Sequence, residues 1–211
     1  MTSNLQEENN RMISFKQCVY GGLTSLLFAS QLIAGAIDVD SKASSIQWKG
    51  SKITGAEHHG TIGVKQGQIT MDGKKLVSGK IVVDMNSVAN LDLTDKEYNQ
   101  KLVTHLKSED FFDVAKFPEA DIEFKNADIQ KDGSYKIKGQ MKIKSETHPV
   151  EFIAKLSADG KSAETDLTFD RTTWNIRYGS GKFFKNLGDK VISDKINLKI
   201  NLVLSAAAKT R

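Results

Sequence analysis

The chain has little cysteine, little proline and no long apolar run, and each shortage removes a class of protein from consideration. Its single cysteine, Cys18, lies within the first forty residues. Disulfide frameworks, thiolate nucleophiles and cysteine-ligated metals are therefore excluded from the rest of the chain, which must be held by its core. There are four histidines, His58, His59, His105 and His148. Neighbours such as His58 and His59 point to opposite faces of a strand, and no His-Glu-x-x-His spacing occurs, so no metal site is expected. Neither a Gly-x-Ser-x-Gly elbow nor the strand and helix context of a phosphate-binding glycine loop is present. Residues 178–182, Tyr-Gly-Ser-Gly-Lys, read as a turn, and no catalytic residue is expected.

Charge of one sign is also in short supply. The net charge is only +4, and the lysines alternate with apolar residues instead of clustering, which describes a solvated face and excludes a nucleic-acid footprint. The leader carries two charges of each sign, Arg11 and Lys16 against Glu7 and Glu8, so its removal leaves this balance unchanged. Residues 19–33 form a weakly polar run shorter than the roughly 20 residues needed to cross a bilayer, and Ala34, Gly35 and Ala36 follow it as small residues. Residues 1–36 thus read as a secretory signal cleaved after Ala36, with Met12 as the expected true start because Glu7 and Glu8 are out of place in a basic leader. Residues 37–211 then form one domain, periplasmic or secreted.

What the chain does have is strict alternation. In residues 135–144, Tyr135, Ile137, Gly139, Met141 and Ile143 share one side and four lysines with Gln140 share the other, the period of a strand with one wet face. The same pattern predicts eight strands, at 45–52, 58–71, 75–88, 121–130, 134–145, 149–158, 163–173 and 195–205. Asp72-Gly73, Asp132-Gly133 and Asp159-Gly160 separate them, and such Asp-Gly pairs close tight hairpins between antiparallel neighbours. Eight antiparallel strands with one apolar face each form a sandwich or a barrel; closure is favoured because it removes exposed sheet edges.

One helical segment, about residues 94–114, interrupts the meander. Thr94 and Glu97 have capping-box spacing, and Leu93 is placed to staple onto Tyr98. Tyr98, Leu102 and either His105 or Leu106 fall on one face. A second turn begins at Ser108, where Phe111, Phe112, Val114 and Phe117 form an apolar cluster before Pro118 ends helical structure.

This passage, HLKSEDFFDVAKFPEADIEF, resembles the signature of the YceI-like family, extracytoplasmic proteins that bind polyisoprenoid lipids in a lipocalin-like barrel. FDRTTWNIRYGSGKFFKNLGDKVISDKINL from Phe169 and GQMKIKSETHPVEF from Gly139 resemble the same family, and the likeness spans roughly residues 44–204. The chain departs from the family pattern at Trp48-Lys49-Gly50 and at residues 145–150, both near strand ends. The resemblance implies an all-β fold, an eight-stranded antiparallel lipocalin-like barrel capped by the helical segment. It implies a carrier of a long isoprenoid lipid, of quinone or polyprenyl phosphate type, with no other cofactor. A filled barrel that is structural or binds a partner, and an enzyme acting on a lipid, are the competing classes.

The apolar strand faces supply the candidate lining. Trp48, Ile62 and Val64 come from the first two strands, Ile81 and Val83 from the third, and Phe124, Ile137, Met141 and Phe152 from the next three. Leu198 and Ile200 come from the last. Any barrel needs such a face to fold, so the ligand rests on the resemblance alone. Phe111 and Phe112 would belong to a lid, or to a cap that only packs the barrel end. His105 and Arg171, both in family-like blocks, are candidate contacts for a polar head group. A buried Arg171 needs a partner, and a protein carboxylate such as Asp84 is favoured over a ligand phosphate. Beyond the lipid, a transient membrane or redox-protein partner and a homodimer are compatible with this reading.

Overall fold

The computed structural model describes residues 35–73 and 75–205, all within one unit of the chain, so the expected leader and start codon lie outside the described residues. Nine strands follow in order: β1 (Gly35–Asp38), β2 (Ser45–Ser51), β3 (Glu57–Asp72), β4 (Lys75–Asn90), β5 (Glu119–Ile129), β6 (Tyr135–Ile143), β7 (Glu146–Leu156), β8 (Ser162–Asp170) and β9 (Lys195–Val203). Eight of them, β2 to β9, close into an antiparallel ring in which β2 sits between β3 and β9 and the ring is sealed where β3 pairs with β4. The expected eight-stranded barrel is therefore present. Gly73, Gly133 and Gly160 take the left-handed backbone that these tight turns demand.

The ninth strand was not expected. β1 pairs with the far half of β3, Gly35 opposite Met71 and Asp38 opposite Gln68, while β2 pairs with its near half. Val39 bridges Leu204 beyond the end of β9. β1 and β2 are thus two halves of one stave, broken at Asp40, whose carboxylate accepts hydrogen bonds from the Lys42 and Ala43 amides. Gly35 and Ala36, the small residues expected at a cleavage site, lie in β1.

The helix α1 spans Lys96–Lys107, shorter than the expected segment, and crosses over β4. Its cap is Asp95, not Thr94: the Asp95 carboxylate accepts from the Glu97 and Tyr98 amides at 2.9 and 3.0 Å. Tyr98 does not staple inward either. It is 65% exposed, with the Lys101 ammonium over its ring. Leu102 and Leu106 line the barrel interior, whereas Tyr98, in the first turn, is left to water. The seventh predicted strand, 163–173, also ends early, at Asp170. Its last residues form a 3-10 turn, Arg171–Trp174, capped by the Asp170 side chain.

Candidate functional site

Alternate side chains of every barrel strand point inward, but the depth of burial changes along the strands. At the end closed by the Asp-Gly turns, Ile46, Ile69, Phe124, Ala154 and Leu202 are buried in one cluster. Further toward α1 on the same strands, Trp48, Ile62, Ile122, Phe152 and Leu198 are only half-buried. A second cluster, around Met141, Phe169, Trp174 and Ile176, lies at the α1 end. Ile122, Phe152 and Leu198 touch both clusters. The surface they keep accessible faces an internal cavity of about 290 Å³.

The cavity wall is almost wholly apolar. Trp48, Ile62, Ile81, Val83, Phe124 and Ile137 line it, as do Met141, Phe152, Leu198 and Ile200. Phe111 and Phe112, from the turn after α1, contribute to the wall together with Leu102 and Leu106 of the helix. Val64 does not line it and packs in the closed-end cluster, where a β-bulge in the β3–β4 ladder adjoins it. Met85, Val88 and Ile192 line the cavity without having been anticipated. Met85 continues the β4 alternation past the expected face residues, Val88 falls out of that phase where the β3–β4 register shifts, and Ile192 lies in an irregular segment that no period marks.

Of the polar residues along the wall, Ser51, Lys52 and His58 are neighbours, while Asp121, Glu164, Thr165 and Arg171 stand apart on other elements. Lys52 and Ala56, in the β2–β3 hairpin, are solvent-exposed yet also line the cavity, so the cavity reaches the surface there. His58 lines it nearby, and its Nδ1 lies 2.7 Å from Oδ2 of Asp92. Partial burial would raise the Asp92 pKa, but hydrogen bonds from His58, the His59 amide and Asn90 hold the carboxyl down to about 2. His58 and His59 both approach this one carboxylate, and among the described residues no group of side chains is arranged to hold a metal ion.

Arg171 is almost fully buried and touches the cavity wall. Its Nε, Nη1 and Nη2 donate to the carbonyls of Ser193, Ile176 and Ile192 at 3.0, 2.7 and 3.2 Å. Its carboxylate partner is Asp194, 3.6 Å away, and not Asp84, which instead accepts from the Asn86 amide in β4. Burial lowers the Arg171 pKa, and Asp194 and Asp170 draw it back. The guanidinium is thus committed to fastening the 176–194 segment over the barrel end. His105 is not part of the cavity wall. It packs edge-on against Phe111 and Tyr178, with ring centres 5.0 and 4.5 Å away.

The wall has one seam. β7 and β8 pair only between Ala154 and Leu156, and toward α1 the two strands part. Trp174 fills the gap: its indole donates to the Met141 carbonyl at 3.0 Å, and its ring meets His148 and Phe169 edge-on. The pattern of the Phe169 block is explained by this. Asp170 caps, Arg171 clamps and Trp174 seals.

A family model described as a YceI-like domain matches residues 38–204. A UPF0312 protein of Pseudomonas fluorescens strain SBW25 is 32% identical over 142 residues, covering 65% of this chain and 70% of its own. A UPF0312 protein of Photorhabdus laumondii is 30% identical over 146 residues, with 66% and 72% covered. Among solved structures, BcnA of Burkholderia cenocepacia superposes with a TM-score of 0.60 at 20% identity, over 80% of this chain and 99% of its own. A polyisoprenoid-binding domain of Saccharophagus degradans, implicated in plant cell wall breakdown, superposes with a TM-score of 0.54 at 13% identity, over 82% and 99%. At such identities the two structures share the fold.

Proposed function

The chain belongs to the YceI-like family, and from that membership and its hollow barrel we propose that it is an extracytoplasmic carrier of a long isoprenoid lipid. The observation that carries this reading is the half-buried state of inward side chains on several strands, which leaves a continuous apolar cavity where a filled core would leave none. A slender hydrocarbon chain transferred there gains about 25 cal/mol for each Å² of apolar surface removed from water, without any charge pairing. The wall cannot satisfy a polar head, whose burial unpaired would cost several kcal/mol, on the order of 2–7. The head therefore stays where the cavity meets the surface, beside Lys52 and His58. These two, in place of His105 and Arg171, are the head-group contacts we assign.

The polyisoprenoid binding of the Saccharophagus domain supports the ligand class. Quinone and polyprenyl phosphate heads both suit a lysine and a histidine at the opening. Carriage without catalysis fits a wall with no cluster of acids, bases or nucleophiles. Export as a periplasmic or secreted protein completes the reading, as do transient contact with a membrane or redox protein during loading and the option of a homodimer.

Native mass spectrometry and organic extraction of protein purified from its own host test this. One isoprenoid per barrel is the expected result. Protein that arrives ligand-free and takes up neither quinones nor polyprenyl phosphates would overturn the carrier reading.

A further inference from the structure

Most of the large apolar side chains exposed on the described residues are not scattered over the barrel. Ile53, Leu91, Tyr98, Tyr178, Phe183 and Phe184 all belong to the hairpin, helix and loops of the α1 end, against only Ile129 and Ile153 elsewhere. The densest group is the sequence Lys182-Phe183-Phe184-Lys185, every residue of which is exposed. Two adjacent phenylalanines, 45% and 48% exposed on a loop, are a standing cost in water unless something covers them.

The exposure is built in. Ser180, fully buried, accepts the Phe183 and Phe184 amides on its carbonyl, and its own amide donates to the Arg177 carbonyl. Gly179 has φ +63° and lies against Ile192, where a Cβ would come within 2.9 Å of that side chain, and its carbonyl accepts the Ile192 amide at 2.8 Å. Lys182 ties the loop back to Asp170 at 2.7 Å and to Asp194 at 3.2 Å. A firmly held base thus presents an apolar tip outward.

The surroundings of the tip are basic. Arg177 lies over the Phe183 ring, 4.5 Å from its centre, and Lys185 and Lys190 are exposed without an ion pair among the described residues; Asp189 is the one acid in residues 177–190. Aromatic side chains ringed by lysine and arginine suit the boundary of an anionic bilayer, where the rings enter the acyl region and the cations meet the headgroups. The location also fits. Ile53 of the β2–β3 hairpin is itself 66% exposed and donates its amide to the Val191 carbonyl, and Lys52, at the cavity opening, bridges Ile192. We propose that the 177–190 loop, with Phe183 and Phe184 at its tip and Ile53 beside it, docks this end of the barrel onto an anionic lipid surface and so sets the cavity opening against the membrane. This rests on the carrier reading for its purpose and on the loop alone for its existence.

The test compares wild type, Phe183→Ser/Phe184→Ser and Lys185→Glu/Lys190→Glu in flotation with phosphatidylcholine vesicles containing 30% phosphatidylglycerol or none. The protein is used as the cells make it, with its leader processed or not. A Phe184→Trp variant, read as the difference from wild type, whose own tryptophans are Trp48 and Trp174, reports the tip whatever the leader contributes. The expected result is binding to anionic vesicles only, lost about tenfold or more in either double variant, with a blue shift of the added tryptophan emission. Emission from the introduced tryptophan that anionic vesicles leave unmoved overturns the proposal, as does a dimer in vesicle-free solution that the Phe183→Ser/Phe184→Ser change dissociates, since the tip would then cover a second copy. Lipid content is measured on the same samples. Vesicle binding by an empty barrel sinks the carrier reading and keeps the dock, and a lipid-filled barrel that ignores vesicles does the reverse.

Discussion

Asp170 performs three tasks with one carboxylate. Its Oδ1 accepts the Thr172 amide at 3.0 Å and the Thr172 hydroxyl at 2.6 Å, capping the 3-10 turn, while Oδ2 accepts the Lys182 ammonium at 2.7 Å. Burial would raise its pKa, yet these bonds hold it at about 2. The folded chain therefore binds fewer protons than the unfolded one between about pH 2 and 4. The stabilisation is fully present above the unfolded carboxylate value and is lost as pH falls toward 2. Asp170→Asn is expected to lower stability at pH 7 by about 1–2 kcal/mol, discounted because Lys182 is half exposed, and to flatten the acid limb of the stability curve. Urea denaturation at pH 7, 4 and 3 checks this; an unchanged acid limb would remove Asp170 from the account. The cap of α1 shows the limit of legibility at this scale. Thr94 and Asp95 are both good caps in adjacent positions, and only the backbone, extended at Asp95, decides between them.

At the scale of elements, the strands were the most legible part, because a one-residue slip would expose an entire apolar face. The β3–β4 contact shows what alternation conceals. A Cβ on Gly60 would sit 1.8 Å from the Ala89 carbonyl oxygen, so the two strands approach here more closely than any side chain permits. Gly60→Ala is expected to cost about 3 kcal/mol or more and to open the ring near the cavity mouth, since the obstacle is backbone. Hydrogen exchange of residues 59–62 and 89–91 checks it, and protection equal to wild type in a variant of unchanged melting temperature would contradict it. β1 escaped notice because four residues of mixed character carry no period of their own. They are a strand only because β3 is long enough to accept two partners in succession.

At the scale of the whole barrel, the feature that matters is a cavity held between two packed clusters, one at the end of the Asp-Gly turns and one at the α1 end. Leu198 lies where the two clusters meet. Leu198→Trp would place an indole in the cavity, and free space there should hold the cost to about 1–3 kcal/mol. The expected outcome is a folded barrel that retains at most a tenth of the wild-type isoprenoid by extraction. Retention at wild-type level in a folded variant would locate the lipid elsewhere.

The one-dimensional pattern determined the class of this protein. Period-two alternation, Asp-Gly turns and a chain without cysteine after residue 18 suffice for an antiparallel all-β fold held by its core, and the three family-like blocks for the family, which implies closure into a barrel. Ile122 and Phe124, two residues apart on one strand face, cannot be told apart by that pattern, although Ile122 is half-buried and touches both clusters and Phe124 is buried in the closed-end cluster alone. Periodicity reports which way a side chain points. How far across the barrel its neighbours reach depends on strand tilt, on the parting of β7 from β8, and on where Trp174 and Arg171 pin the irregular segments. Those are distances between residues remote in sequence, and only the tertiary structure decides them.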